Sequence, residues 1–157
     1  MELTHLNEAG RGRMVDVSEK EDTRRSARAR GSIHMKSETI ERIREGTMKK
    51  GDVLGIAQIA GIMAAKRTWE IIPLCHNILL QAVDIEFEVG ETEVTATSLI
   101  QTIGKTGAEM EALTAVSTAL LTIYDMCKAI DKEMVLTEIR VVEKTGGKSG
   151  HYLWDEA

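Results

Sequence analysis

The chain has 157 residues, of which 43% are hydrophobic and 29% are charged, a composition typical of one folded domain rather than a disordered chain. Its net charge of −5 and its 3% aromatic content argue against a general nucleic-acid-binding protein. No apolar run approaches the roughly 20 residues of a membrane-spanning helix, and residues 1–14 lack the apolar core that a signal peptide would have. Two cysteines, Cys75 and Cys127, provide no disulfide framework. We therefore expect one cytoplasmic domain over residues 1–157, with flexible tails at 1–13 and 151–157.

The first third of the chain predicts two short strands and a helix. The alternating residues MVDVS (14–18) predict a strand, and the charged run EKEDTRRSARARGS (19–32) predicts a solvated loop. The segment SIHM (32–35) predicts a strand that resumes the sheet. Ser37 is the predicted N-cap of a helix that ends at Gly46.

A second helix is predicted to begin after Asp52 and to stop before Pro73. One face of this helix is marked by residues that step at helical intervals, namely Val53, Ile56, Ala60, Met63 and Arg67. Small residues in the same run would let another element pack closely against it; they are Ala57, Ala60, Gly61 and Ala64.

The second half predicts a hairpin, a long helix and a last strand. VDIEFEV (83–89) alternates apolar and acidic residues and, after a turn at Gly90, pairs with a strand over 94–103. Residues 108–130 predict a helix with a buried stripe of Met110, Leu113, Val116, Leu120, Ile123, Cys127 and Ile130. MVLTEIRVV (134–142) predicts the final strand. This order predicts an α+β sandwich of ferredoxin-like topology, with an antiparallel sheet and helices packed on one face.

Two stretches, GKTG from Gly104 and KTGGKSG over 144–150, contain the Gly-Lys-Ser/Thr that ends a P-loop. A P-loop also needs a glycine five residues upstream, where Leu99 and Val142 stand instead. We therefore reject a P-loop. Two interpretations remain open, solvent-facing turns and loops whose backbone N–H groups bind anions.

Some polar residues stand where a purely structural interpretation does not require them. Lys66 and Arg67 end an apolar helix, although cations also favour a helix C-terminus for electrostatic reasons. Cys75 and His76 follow Pro73 without a CxxC or HxxxH pattern, which disfavours zinc and favours a hydrogen-bonding or acid–base histidine.

The predicted long helix contains a possible ion pair and two carboxyl groups that are far apart in the sequence. Asp125 and Lys128 are three residues apart and can touch, either as a surface ion pair or, in a cleft, as groups that tune each other's pKa. Glu111 and Asp125 are 14 residues apart, about 21 Å along a helix. One intrachain pocket could hardly use both carboxylates. If both are functional, we predict an oligomer with active sites at subunit interfaces.

Six blocks occur in order along the chain: MVDVS, KKGDV, IAGIMAAKRTWEIIPLCH, GKTGAEMEALTA, IYDMCKAI and KTGGKSG. With these blocks the chain resembles the cyclic pyranopterin monophosphate synthase family, molybdenum cofactor biosynthesis protein C. The resemblance implies a ferredoxin-like subunit in a homohexamer, a trimer of dimers with interface active sites. It also implies a lyase that converts (8S)-3′,8-cyclo-7,8-dihydroguanosine 5′-triphosphate to cyclic pyranopterin monophosphate and releases pyrophosphate. No cofactor or metal is implied, although Mg²⁺ could accompany the triphosphate.

The resemblance also assigns roles to residues. It implies a catalytic aspartate at Asp125, with Lys128 beside it and Lys66 as the partner acid or base. The implied substrate-binding residues are Leu74, Cys75, His76, Met110, Glu111, Glu109, Lys50, Arg25 and Lys144. Asn77 departs from the proline that many members have, and Lys105 and Lys148 are second-rank candidates. The competing functions are a non-catalytic nucleotide- or pterin-binding module and a general phosphohydrolase, for which the chain lacks a D-x-D carboxylate cluster.

Overall fold

The computed structural model describes residues 5–155. Its elements, in chain order, are β1 (Thr23–His34), α1 (Ser37–Glu45), α2 (Val53–Lys66), α3 (Thr68–Ile71), β2 (Leu80–Val89), β3 (Glu93–Gly104), α4 (Glu109–Cys127), β4 (Val135–Thr145) and β5 (Tyr152–Leu153). Residues 1–4 and 156–157 of the predicted tails lie outside the described residues.

The strands form one antiparallel sheet in the order β2-β3-β1-β4-β5. α4 packs across β1, β3 and β4, and α2 packs beside it on α4 and β2. The order of elements along the chain, together with the sheet order β2-β3-β1-β4, is the ferredoxin-like arrangement. β5 is added at one edge of the sheet. The predicted α+β fold is confirmed. No helix within the described residues is long and apolar enough to cross a membrane.

β1 lies where the sequence predicted a charged loop, so that prediction was wrong. Ala27, Ala29 and Ile33 are fully buried under the helices, whereas Arg28 and Arg30 alternate with them and lie on the opposite face of the sheet. The inward residues are mostly small, and therefore the strand lacks the large alternating hydrophobic side chains that usually reveal one. The strand predicted over 14–18 is also wrong, because these residues are irregular.

The predicted bounds of α1 are confirmed, but the residue that caps its start is not the predicted one. Gly46 ends it in the left-handed conformation, with φ of 66°. The N-cap residue is Lys36 rather than Ser37, and no side chain caps the helix. Instead the buried carboxylate of Asp131 accepts hydrogen bonds from the backbone N–H of Lys36 at 2.8 Å and from the Thr39 hydroxyl at 3.2 Å.

α2 begins as predicted, because Asp52 Oδ1 accepts a hydrogen bond from the backbone N–H of Gly55 at 3.0 Å. It ends at Lys66 rather than just before Pro73, and α3 follows as a separate short helix. The buried face, however, is made by Val53, Ala57, Gly61, Ala64 and Ala65. The larger residues of the face marked in the sequence point outward, and Ile56, Ile59 and Met63 are 46%, 61% and 41% exposed. Small residues on the buried face allow α2 to lie close to α4.

The other elements match their predictions with small changes of extent. β2 begins at Leu80 and β3 ends at Gly104. Along α4, the predicted stripe is buried from Val116 to Cys127 and partly buried at Leu113, whereas Met110 is 36% exposed and Ile130, beyond the end of the helix, is 44% exposed. β4 continues to Thr145, which places Lys144 on a strand rather than in the following loop.

Candidate active site

A cavity of about 310 Å³ lies at the beginning of α4. The loop after α3 contributes Leu74, Cys75, His76 and Ile78, and the first turn of α4 contributes Glu109, Met110 and Glu111. Six residues that the resemblance assigned to substrate binding therefore meet around one cavity. They come from two segments of sequence that the fold of α2, α3 and the β2–β3 hairpin brings together.

The N-terminal segment, residues 5–20, forms another wall of the cavity, which sequence reasoning missed. His5, Val15, Val17 and Lys20 line the cavity from this side. The alternation of Val15 and Val17 with polar neighbours is the sequence signal of this wall, although the same pattern predicts a strand. Both valines are half-buried against the cavity without strand pairing. Thr106 and Gly107 of the GKTG loop, also missed, line the cavity beside α4.

Glu111 is the most deeply buried charged group of the cavity, with only 4% of its surface exposed. Burial raises its pKa from 4.5 to about 7. A carboxyl group with this pKa is present in both protonation states near neutral pH, and so it can donate or accept a proton. Burial, with a further contribution from the charge of Glu111, raises the pKa of the Cys75 thiol. Cys75 is therefore protonated and is not an activated thiolate.

His76 is oriented by the N-terminal segment. Its Nε2 lies 2.7 Å from the carbonyl oxygen of Val15. Because a carbonyl oxygen can only accept, the proton of the neutral ring is on Nε2, and Nδ1 is left available as an acceptor. The fold thus fixes the tautomer of a histidine that lines the cavity.

Glu109 and Lys144 form a half-buried ion pair beside the cavity, with Nζ to Oε1 at 2.8 Å. Burial alone would raise the pKa of Glu109, but the hydrogen bond and the charge of Lys144 outweigh it and hold the pKa below its usual value. Two carboxyl groups in one helical turn therefore differ: Glu109 is ionised, and Glu111 titrates near neutrality. Such divergent pairs are typical of acid–base sites.

Arg25 holds the GKTG loop from the side of β1. Its Nε donates to the carbonyl oxygen of Gly104 at 3.0 Å, and its Nη2 donates to that of Lys105 at 3.2 Å. Gly147 packs against the same guanidinium with φ of +75°, and a Cβ at that position would collide with Arg25. The two glycine–lysine stretches therefore meet at Arg25.

A second cluster lies at the other end of α4. The carboxylate of Asp125 accepts from Lys128 Nζ at 2.6 Å and from Lys50 Nζ at 2.8 Å, and all three side chains are about half exposed. The hydrogen bond from Lys128, followed by that from Lys50, lowers the pKa of Asp125 to about 2. Asp125 in turn raises the pKa of Lys128. Asp125 is therefore ionised, and it holds the ammonium groups of Lys50 and Lys128 beside each other at the surface.

The chain does not bring all the assigned residues together. Glu111 and Asp125 lie on the one helix α4, about 21 Å apart by its rise, and Asp125 does not line the cavity of Glu111. Lys66, the last residue of α2, lines a separate cavity of about 390 Å³ with Asn77, and Ile78 borders both cavities. Among residues 5–155, no group of three His, Cys, Asp or Glu residues is arranged to hold a metal ion.

A cavity with one titratable and one ionised carboxyl group, on a ferredoxin-like α+β fold, has the arrangement expected of an acid–base enzyme site. Comparison with known proteins makes this class specific. The model of the MoaC family matches residues 14–147, and the chain belongs to the MoaC family. The resemblance found in the sequence is confirmed.

Curated relatives extend the match over nearly the whole chain. A protein of Peptoclostridium acidaminophilum is 63% identical over 152 residues, covering 97% of this chain and 97% of its own length. One of Thermoanaerobacter sp. (strain X514) is 60% identical and covers 97% of this chain and 98% of its own length. One of Clostridium acetobutylicum is 60% identical, with coverages of 96% and 94%. Each of the three is named cyclic pyranopterin monophosphate synthase.

Proposed function

We propose that this chain is a cyclic pyranopterin monophosphate synthase. In this proposal it converts (8S)-3′,8-cyclo-7,8-dihydroguanosine 5′-triphosphate to cyclic pyranopterin monophosphate and pyrophosphate, an early step of molybdenum cofactor biosynthesis. The observation that carries the proposal is the 63% identity to a synthase of the same length, aligned over 97% of both chains. The acid–base groups of both clusters support it, since a protein that only binds a nucleotide does not require them.

The cavity fits the part of the reaction that rebuilds the purine ring. Ring opening and closure move protons between nitrogen, oxygen and carbon, and positioned acids and bases each accelerate such steps by roughly 100- to 10,000-fold. Glu111 can exchange a proton near neutral pH, and His76 offers Nδ1 as an acceptor. Leu74, Met110 and the Cys75 thiol supply the less polar surface against which the ring system packs.

The Asp125 cluster fits the part of the reaction that forms the cyclic phosphate. Negative charge develops on phosphate oxygens as pyrophosphate leaves, and ammonium groups stabilise that charge. Lys50 and Lys128 are held close together by Asp125, so that a phosphate would meet two cations at once. We place Asp125, Lys128 and Lys66 in the catalytic roles, and Arg25 and Lys144 beside the triphosphate. Because the conversion needs no oxidant or reductant, we propose that it requires no cofactor, with Mg²⁺ accompanying the triphosphate at most.

We further propose that the two clusters meet across a subunit interface in a homohexamer built as a trimer of dimers. The separation of about 21 Å along α4 supports this, because one small substrate cannot contact Glu111 and Asp125 of the same chain. Ile56, Ile59 and Met63 also support it, since they form an apolar stripe on the outer face of α2. We place the reaction in the cytoplasm, where the free thiols of Cys75 and Cys127 are stable.

The test supplies the purified protein with the freshly made cyclised triphosphate and follows the products by ³¹P NMR and mass spectrometry. The wild-type protein should release pyrophosphate and form a cyclic phosphate ester. Asp125→Asn should lower the rate by roughly 100-fold or more, because it removes the anion that holds Lys50 and Lys128. Glu41→Gln, which neutralises an exposed carboxylate on α1, is the matched control and should keep the wild-type rate.

Two other outcomes contradict the proposal. If the wild-type protein binds the compound and leaves it unchanged, the chain is a binding module. If it releases phosphate or pyrophosphate without a cyclic ester, the chain is a phosphohydrolase.

A further inference from the structure

The N-terminal segment, residues 5–20, lines the cavity but has little structure of its own. Within it, the only ladder contact is an isolated bridge between Leu6 and Gly12. The other hydrogen bonds that the segment makes within itself join near neighbours, such as the backbone N–H of Lys20 to the carbonyl oxygen of Val17 at 3.0 Å. A segment with few buried contacts opens easily unless side chains from the rest of the fold hold it.

Two hydrogen bonds hold this segment to the rest of the described chain. One is the bond between His76 Nε2 and the carbonyl oxygen of Val15. The other joins Lys105 Nζ to the carbonyl oxygen of Ser18 at 2.7 Å, across 87 positions of sequence. The two bonds flank Val17, whose side chain faces the cavity, so that together they fix the register of this wall.

The backbone of Lys105 is held in turn by Arg25. Arg25 restrains the GKTG loop, because its guanidinium donates hydrogen bonds to the carbonyl oxygens of Gly104 and Lys105. Gly146 and Gly147, with φ of +89° and +75°, let the second glycine–lysine stretch pack directly on Arg24 and Arg25. A continuous set of contacts therefore connects the glycines that follow β4 to Arg25, Arg25 to Lys105, and Lys105 to Ser18.

We propose that Lys105 is a positioning residue for the synthase reaction, one that holds residues 13–20 in place as a wall of the substrate cavity through its bond to Ser18. The inference rests on the proposed function. It gives the lysine of the GKTG stretch a target within the protein, the Ser18 carbonyl, rather than a substrate phosphate. Glu111 lies on α4 and does not depend on Lys105 for its position, and the bond of His76 to Val15 is separate from the bond of Lys105 to Ser18.

The first test is amide hydrogen exchange of the free protein, which needs no ligand. In Lys105→Met, which keeps the apolar stem and removes the ammonium, exchange of the Ser18 and Lys20 amides should become about fivefold faster. Lys105→Arg, which can still donate to a carbonyl oxygen, should restore most of the protection. Lys132→Met is the matched control, because Lys132 is exposed after α4 and has no side-chain hydrogen bond among the described residues. It should exchange like the wild type.

The second test measures KM and kcat for pyrophosphate release from the cyclised triphosphate. Lys105→Met should raise KM about fivefold and change kcat by less than about twofold, with rescue by Lys105→Arg. A raised KM with unchanged exchange at residues 13–20 overturns the proposal, because Lys105 would then act on the substrate directly. Faster exchange with unchanged KM overturns it too, because the wall would not matter to binding.

The two tests separate this inference from the proposed function. If the wild-type protein does not convert the compound, the synthase proposal fails on that result alone. Whether Lys105 holds the segment is decided by the exchange of the Ser18 and Lys20 amides, and unchanged exchange in Lys105→Met overturns it whatever the activity.

Discussion

At the scale of single residues, Glu111 and Asp125 represent opposite ways of placing a carboxyl group on one helix. Asp125 is exposed, and two lysines keep it ionised at every physiological pH. Glu111 is 4% exposed, and burial gives it a pKa of about 7. An ionised carboxylate at such a site destabilises the fold, and therefore Glu111 links stability to pH in a way that Asp125 does not.

The free energy of unfolding should fall as pH rises from about 5 to 8, because the folded protein binds the Glu111 proton more tightly than the unfolded chain does. The pKa values of 4.5 and about 7 for the two states correspond to a loss of about 3 kcal/mol, which is nearly complete by about pH 8. Glu111→Gln should remove this decline. Urea unfolding at several pH values and one protein concentration measures it.

Glu109→Gln is the control, two residues away on the same turn. The pKa of Glu109 is lowered rather than raised, so its contribution is lost only as pH falls below the usual range of a glutamate. The variant should keep most of the decline between pH 5 and 8, because burial is the main cause of the raised Glu111 pKa and the charge of Glu109 adds only a small part. An equal decline in Glu111→Gln and the wild type would mean that Glu111 is not the linked group.

At the scale of elements, the contact between α2 and α4 depends on a missing side chain. Gly61 faces α4, and a Cβ there would lie 2.8 Å from the backbone oxygen of Ala115 and would collide with Ile85. Backbone cannot move aside as a flexible side chain can.

Gly61→Ala should lower the free energy of unfolding by about 1–3 kcal/mol, as overpacking of a core usually does. The expected sign is opposite to the gain of about 1 kcal/mol that alanine gives over glycine in a free helix. Chemical denaturation measures the change. Gly104→Ala, where nothing lies within 4 Å of the added Cβ, should change stability by less than about 0.5 kcal/mol. An unchanged or more stable Gly61→Ala protein would show that the two helices can separate freely.

How far the sequence predicted each element depended on the size of its buried residues. α4 and the β2–β3 hairpin were predicted well, because large apolar residues mark their inner faces. β1 was missed, since its buried face consists mainly of alanines and its arginines dominate the composition. The face marked on α2 was not the buried one for the same reason, because Ala57, Gly61 and Ala64 form its inner surface. Small residues bury well but carry little hydrophobic signal.

The candidate site was predicted in part. Sequence blocks identified the residues of the cavity and of the Asp125 cluster, and helix geometry predicted that the two groups are far apart. The alternation of Val15 and Val17 is visible in the sequence, but the position of this wall beside the cavity could not be predicted, because it depends on bonds made by Lys105 and His76 from distant parts of the chain. Periodicity describes only local structure and contains no information about such contacts.

At the scale of the whole molecule, the outer stripe of α2 gives a test of the proposed hexamer. Ile59 is 61% exposed in the single chain, and a lysine there would be compatible with a folded subunit but not with a buried apolar interface. Ile59→Lys should therefore form smaller particles than the wild type while keeping its far-ultraviolet circular dichroism. Light scattering coupled to gel filtration measures the mass.

Glu91→Gln, at the exposed turn between β2 and β3, changes the net charge by the same amount and should keep the wild-type mass. A wild-type particle mass for Ile59→Lys would place the interface elsewhere. A monomeric wild-type protein would remove the hexamer from the proposal.

The length of α4 has a genetic consequence. If each active site takes its cavity from one subunit and its Asp125 cluster from another, then a subunit defective at Glu111 still carries an intact cluster, and one defective at Asp125 still carries an intact cavity. Two inactive alleles would then complement each other in the same cell. Refolding Glu111→Ala and Asp125→Asn chains together in equal amounts should restore about a quarter of the sites, because that fraction pairs two intact halves at random. No activity from the mixture would mean that each site is built within a single chain.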